Sequence, residues 1–319
     1  MTVHAPFKPL PMEAVRELRL ERLMAAFPGD DDLPGLRETD VGPYLSPSQV
    51  KMATRCLEQY RRRYVLGEKE RPASALLWGS ADHAATEWAM GDKIVTKTDK
   101  SPEDVAEFFV NDFEQRVERD GGEGEIEWKK DETAADVKDR GAKLAALYAK
   151  AVMPAIDPVK VEERFVLEIP GSPVPIRGAI DLVGNVPLPS FTGRRHDAIV
   201  DKKTAARKGL VNEWHIQGRI YQRVIPLPYQ FHLAMKSKTP DVVAFHPDYT
   251  FELAPARMID AQVQRVIAAI ATMFDTFGPD EPWEGTGFGG FADTCGYCGW
   301  GPNAANTCAW WNPDTWRAT

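Results

Sequence analysis

In the run Ile199-Val200-Asp201-Lys202-Lys203 a carboxylate and an ammonium stand two residues apart. On an extended strand alternate side chains share a face, so Asp201 and Lys203 point one way and Lys202 the other. A carboxylate can hold a hard divalent ion such as Mg²⁺, and a neighbouring lysine can orient or deprotonate a water and stabilise charge growing on a phosphate. The preceding β-rich run, Arg177-Gly178-Ala179-Ile180-Asp181, supplies a second carboxylate that antiparallel pairing would set beside Asp201. Two such carboxylates repel unless something cationic lies between them, and a metal ion is the natural solution. This is the equipment of phosphodiester hydrolysis, although Asp-x-Lys alone is a weak signal, since surface strands carry such pairs as plain salt bridges.

Two further groups could bind metals. His83 and Glu87 are four residues apart on a predicted helix and share a face; taken alone, the histidine could equally be a packed residue and Glu87 a solvated charge or a partner that orients His83. Glu163, on the first β-rich run, is a weaker acidic candidate. The four cysteines are Cys56, then Cys295-x2-Cys298 and Cys308. A C-x2-C pair in a glycine-rich loop lets two thiolates face one centre, and four thiolates can hold either tetrahedral zinc or a [4Fe–4S] cluster; the spacing does not separate the two. Cys56 could also be a small buried hydrophobe beside a three-ligand zinc site. Trp300, Trp310, Trp311 and Trp316 surround the last cysteines and would suit either packing around a metal centre or stacking on the bases of a single strand.

The elements that must position these residues can be read from caps and periodicity. An amphipathic helix is expected over Met12 to Phe27, followed by an acidic, proline-bearing linker from Gly29 to Pro34. Ser46, Pro47 and Gln49 form a capping-box start to a helix expected to reach Leu66, with Val50, Ala53, Leu57, Tyr60 and Tyr64 facing inward and Cys56 at the edge of that face. A second helix is expected from Trp78 to Met90, and helical sequence from Pro102 to Met153, interrupted at Gly121 to Glu125. Short β-rich runs follow at Val161 to Ile169, Ile176 to Val183 and Asp197 to Lys203, then a helix from Leu210 to Ile225, strands at Tyr229 to Met235 and Val242 to Phe245, and a helix from Ala254 to Phe277. Gln217 and Tyr221 share the face of their helix with Leu210 and Trp214, which permits a packing role. The order suggests an α/β fold with a central mixed sheet flanked by helices, a helical N-terminal region and a cysteine-rich C-terminal tail.

At 319 residues the chain can bury a full core, and the formal net charge of −8 argues against indiscriminate wrapping of nucleic acid, so any DNA contact must be local. Arg61, Arg62 and Arg63, and Lys202, Lys203, Arg207 and Lys208, are the basic clusters that could supply it or simply be solvated faces. The sequence shows neither the roughly 20-residue apolar run of a membrane span nor a secretory signal, so a soluble, cytoplasmic protein without membrane partners is expected. Disulfides fit such a chain poorly.

From Leu45 to Cys308 the sequence resembles the PD-(D/E)XK nuclease superfamily, in its RecB-like branch, which includes CRISPR-associated adaptation exonucleases. The resemblance rests on five motifs in order: a helix with Ser-x-Ser and Cys56; Gly79, His83 and Glu87 as Gly-x-x-x-His-x-x-x-Glu; Gly178, Ile180 and Asp181; Asp201-Lys202-Lys203; and Gln217 with Tyr221 as Gln-x-x-x-Tyr. It implies a restriction-endonuclease-like core and a nuclease domain over 45–319 behind an arm and linker at 1–44. His83, Asp181, Asp201 and the main-chain carbonyl of Lys202 would be the metal ligands, Lys203 would serve the water, and Gln217 and Tyr221 would lie near the active site. The histidine makes Mn²⁺ plausible beside Mg²⁺. The distribution of one cysteine before the core and three after it is similar to that of the iron–sulfur members and implies a [4Fe–4S] cluster on Cys56, Cys295, Cys298 and Cys308, the last after a longer interval than is usual there. The activity implied is a metal-dependent DNA exonuclease, acting on single strands or free ends in phage replication, recombination or repair. The alternatives are an endonuclease on the same fold, an idle architectural or DNA-gripping subunit of a recombination or CRISPR-adaptation complex, and a small zinc-dependent redox or regulatory protein.

Overall fold

In the computed structural model of the chain the described residues are 19, 21–28, 43–187, 194–205, 212–236, 241–244, 255–283, 298, 300 and 308. Of the expected first helix, positions 21–26 are helical. The linker from Gly29 to Pro34 lies outside the described residues. Ser46 starts α1 (Pro47–Arg55) with the capping box read from its sequence, accepting from the Gln49 amide while the Gln49 side chain accepts from the Ser46 amide at 2.7 Å. The helix does not run on to Leu66. At Cys56 the backbone turns extended (φ −160°, ψ 117°), and the Cys56 sulfur accepts the Gln59 amide to open α2 (Leu57–Tyr60), which passes into a π-helical turn at Arg61–Val65. A side chain able to cap an orphan amide lets the chain restart a helix at a new angle, and apolar periodicity is blind to that.

Beyond this region come α3 (Ser74–Thr96), longer than expected, and α4 (Pro102–Arg119) and α5 (Ala134–Ala151), separated at the glycine interruption. The strands are β1 (Asp157–Leu167), β2 (Ile176–Pro187), β3 (Arg195–Ala205), β4 (Tyr229–Met235) and β5 (Asp241–Ala244); α6 (Asn212–Val224) connects β3 to β4, and α7 (Ala256–Phe277) follows β5. The sheet order is β1-β2-β3-β4-β5, with β2/β3 and β4/β5 antiparallel and β3/β4 parallel. The parallel pair needs a crossover, which α6 provides. The result is the mixed sheet flanked by helices that the element order suggested.

Two compact units divide the chain. One takes the described residues of Met1–Lys69, Val166–Arg177 and Gln262–Thr319. In it Trp283 is fully buried, its ring 6.2 Å from Tyr60, and its amide donates to Glu58, which also holds the buried Arg61 in an ion pair at 2.7 Å. Arg61 is therefore a buried, paired charge and not a solvated one. Arg62 pairs with Glu68 at 2.8 Å and lies 5.2 Å over the ring of Trp300.

The other unit takes Glu70–Phe165 and Gly178–Ala261. Its core joins Trp78, Ala81 and Ala85 of α3, Phe109 and Phe113 of α4, and Leu144 of α5 to Leu182, Val186, Ala198, Val200 and Ala234 of the sheet. These even-numbered strand positions form one face. The odd-numbered face carries Ile199, Asp201, Lys203, Tyr229 and Phe231, and α6 lies against it through Trp214 to Phe231 and Tyr221 to Tyr229 ring contacts. Among the described residues no helix is long and apolar enough to cross a membrane.

Candidate active site

Every residue of the acidic and lysine constellation lies in the second unit. Register between β2 and β3 runs from Pro187↔Arg195 to Leu182↔Val200, one position short of Asp181 and Asp201. The ladder thus stops where the carboxylates begin. From α3, His83 reaches the same place, with its Nδ1 3.4 Å from Asp181 Oδ2. One potential ligand atom from each of His83, Asp181 and Asp201 lies within 4.8 Å of the others.

The electrostatics fit a cation at this point. Asp181 Oδ2 and Asp201 Oδ1 are buried and have no hydrogen-bond partner, which is costly for a carboxylate oxygen. Burial, then the charge of Asp201, pushes the Asp181 carboxyl well above the usual range. Burial pushes Asp201 the same way, but Lys203 and the hydrogen bonds around it outweigh burial and leave it below the usual value. Burial, followed by the Lys203 charge, lowers His83 to about 4, so near neutral pH its imidazole offers a free lone pair. Two carboxylates and a neutral imidazole are a donor set suited to Mg²⁺ or, better, Mn²⁺. The main-chain carbonyl of Lys202 lies between Asp201 and Lys203 on the strand, while its side chain turns to the opposite face.

Lys203 sits 2.8 Å from Asp201 Oδ2 and donates to Gln217 Oε1 at 3.2 Å; Gln217 Nε2 in turn donates to the Tyr221 hydroxyl at 2.7 Å. Burial would strip the Lys203 ammonium of its proton, but Asp201 and Asp181 outweigh it and raise the pKa. Lys203 is thus held charged here. Gln217 and Tyr221, one turn apart on α6, join the site through Lys203, and Tyr221 also packs, its ring edge-on to Phe165.

Three contributors escaped the sequence reading. The Tyr229 hydroxyl donates to Asp201 Oδ2. Its ring fits because residue 218 is glycine: a Cβ there would stand 2.7 Å from the ring. Glu162, at a positive φ of 48° in β1, lines a small cavity of about 20 Å³ with His83, Glu87 and Asp181. Burial and the nearby Glu87 charge push its carboxyl up to about 7. The neighbouring Glu163, which the sequence reading considered, instead pairs with Lys160. Glu87 stands at the exposed lip of the cavity, in the field of Arg164, Asp112 and Arg116. Asp82 is the third, bound to Lys202 at 2.6 Å. A tyrosine in an apolar strand and an acid beside a histidine carry no motif, so nothing along the chain marks them.

Cys56, Cys298 and Cys308 are half-buried, and all belong to the first unit; the Cys308 amide donates to the Trp300 carbonyl at 3.0 Å. Trp300 is buried under Arg62, which suits packing. Cys295, Trp310, Trp311, Trp316, Arg207 and Lys208 lie outside the described residues.

A family model described as the PD-(D/E)XK nuclease superfamily matches residues 44–302. Among solved structures, a candidate exonuclease from Eubacterium rectale is similar at 19% identity, over 76% of this chain and 84% of that one, with a TM-score of 0.43. The protein SSO0001 is similar at 12% identity, over 66% and 84% respectively, with a TM-score of 0.26. No curated protein matches the sequence.

Proposed function

The chain belongs to the PD-(D/E)XK nuclease superfamily and has its restriction-endonuclease-like fold, and from that premise we propose that it is a metal-dependent DNA exonuclease hydrolysing phosphodiester bonds. The observation that carries this reading is that His83, Asp181 and Asp201 bring one ligand atom each within 4.8 Å of the others, with Asp181 Oδ2 and Asp201 Oδ1 buried and without a hydrogen-bond partner. Such a pair is stable around a cation and wasteful without one.

His83, Asp181, Asp201 and the Lys202 carbonyl would hold Mg²⁺ or Mn²⁺, which when bound polarises a phosphoryl oxygen and lowers the pKa of a water. The Lys203 ammonium, kept charged by the carboxylates, is placed to face the charge that grows on the phosphate. Gln217, backed by Tyr221, fixes where that ammonium points. Tyr229 orients Asp201 from the far side.

The RecB-like branch is our reading of the five ordered motifs, and with it a nuclease domain over 45–319 and a [4Fe–4S] cluster on Cys56, Cys295, Cys298 and Cys308, with zinc as the alternative. Single-stranded DNA or free ends are the proposed substrate, in phage replication, recombination or repair. The test is anaerobic purification followed by digestion, with Mn²⁺ or Mg²⁺, of linear DNA labelled at its ends and, separately, of closed circular DNA. Linear substrate should be consumed and circular spared, and Asp201→Ala and Lys203→Ala should each lose on the order of 10²–10³-fold in rate. Protein with intact cluster absorbance near about 400 nm that digests nothing under any metal would sink the enzymatic reading.

A further inference from the structure

We propose that Asp82 and Lys202 are positioning residues whose buried ion pair sets the separation between the helix-borne and strand-borne metal ligands; this rests on the metal-site reading above. The sequence places Asp82 next to His83 on α3, and Lys202 next to Asp201 on β3. One bond between Asp82 and Lys202 therefore constrains His83 and Asp201 with a single residue of slack on either side, about 1.5 Å along a helix and about 3.3 Å along a strand.

The bond is built with care. Lys202 Nζ donates to Asp82 Oδ1 at 2.6 Å and to Thr86 Oγ1 at 3.0 Å, and lies 4.0 Å from the ring centre of Tyr148. Tyr148 is itself tied to His232 Nδ1, across 2.8 Å, on β4. The pair thus fastens α3 to β3, with α5 and the next strand packed around it. The helix and strand also run close at Gly79, one turn before His83, where a Cβ would stand 3.2 Å from Thr204 Oγ1.

A buried ion pair is weak ground for stability. The side chains of Asp82 and Lys202 are 0% and 4% exposed, and they lie on the sheet face that otherwise packs Ala81, Ala85 and Val200 into the apolar core. A buried ion pair in such a setting is often matched or bettered by apolar residues of similar volume. Asp82 Oδ2 is moreover buried without a hydrogen-bond partner, a further cost. What the pair supplies that apolar contacts would not is a directional link of fixed length, one residue from a metal ligand at each end.

The test is the double variant Asp82→Leu/Lys202→Met in the full chain, with Mn²⁺ binding measured by electron paramagnetic resonance in the absence of DNA, alongside thermal melting and the split between kcat and KM. The pair as a positioning device predicts an unchanged or raised Tm, Mn²⁺ binding weakened about 10–100-fold, a lower kcat and an unchanged KM for DNA. Thr86→Val should fold and weaken Mn²⁺ binding less, and its effect should vanish in the double-variant background, as expected of coupled neighbours. Wild-type Mn²⁺ affinity and kcat in the double variant would overturn the proposal and leave a structural pair. If the double variant does not fold, Thr86→Val decides alone: unchanged Mn²⁺ binding there overturns it. Asp201→Asn separates the two readings, because Mn²⁺ binding that survives it removes the metal site itself, whereas binding that it abolishes leaves only the pair in question.

Discussion

At Asp181 and Asp201 a proton and a metal ion compete for the same oxygens, and the residues around them decide the contest. Tyr229 and Lys203 both engage Oδ2 of Asp201, while its other oxygen, Oδ1, is buried without a hydrogen-bond partner. Tyr229→Phe keeps the ring and removes the donor; we expect Mn²⁺ affinity to fall about tenfold and stability by about 1 kcal/mol, measured by metal titration and thermal melting. His83 and His232 both have pKa values lowered to about 4, burial being the larger cause in each. The unfolded chain takes up these protons near pH 6.5 and the folded one refuses them. Stability is therefore fully present above about pH 6.5 and declines as the pH falls toward about 4. His232→Asn should flatten the fall of Tm with pH across that window. The meeting of Asp181, Asp201 and Lys203 was legible because strand alternation and hairpin pairing set them side by side, whereas helix spacing related His83 only to Glu87 and it was the order of motifs that pointed it to this site. Tyr229 and Glu162 were not, since one depends on a glycine in another element and the other on a backbone torsion of β1.

Two glycines show how elements are set against one another, and they predict opposite outcomes. At Gly218 a methyl would collide with the Tyr229 ring at 2.7 Å, a rigid neighbour on a fully buried residue. Gly218→Ala should cost about 1–3 kcal/mol despite the gain in helix propensity, and should lower activity by pushing Tyr229 off Asp201; thermal melts and rate assays check both. At Gly79 the methyl would meet only a threonine hydroxyl at 3.2 Å, so Gly79→Ala should fall within about 1 kcal/mol of wild type in the same melts. Helices with strong caps were legible at this scale: Ser46 and its capping box place the start of α1 to the residue. The break at Cys56 was not, because a sulfur that serves as a cap leaves the apolar spacing of Val50, Ala53, Leu57 and Tyr60 intact.

For the whole molecule, the order of elements and the mixed sheet could be read from runs of periodicity, whereas the partition into two compact units could not, since each gathers separated stretches of chain. The described cysteines and the carboxylates fall in different units, which makes the two metal readings separable. Cys56→Ser should lower the iron and sulfide content and the Tm, while Mn²⁺ binding at the His83 site persists; elemental analysis and metal titration on one preparation would show it. The alternation of charge along β3 has a consequence for how the chain can vary. Asp201 and Lys203 belong on one face and Lys202 on the other, each with partners already in place. Loss or gain of one residue upstream within this strand would exchange the faces, sending Asp201 and Lys203 toward the apolar core and Lys202 into the site. A single-residue insertion or deletion that no bulge absorbs is thereby closed to β3, where substitution is the open route of change.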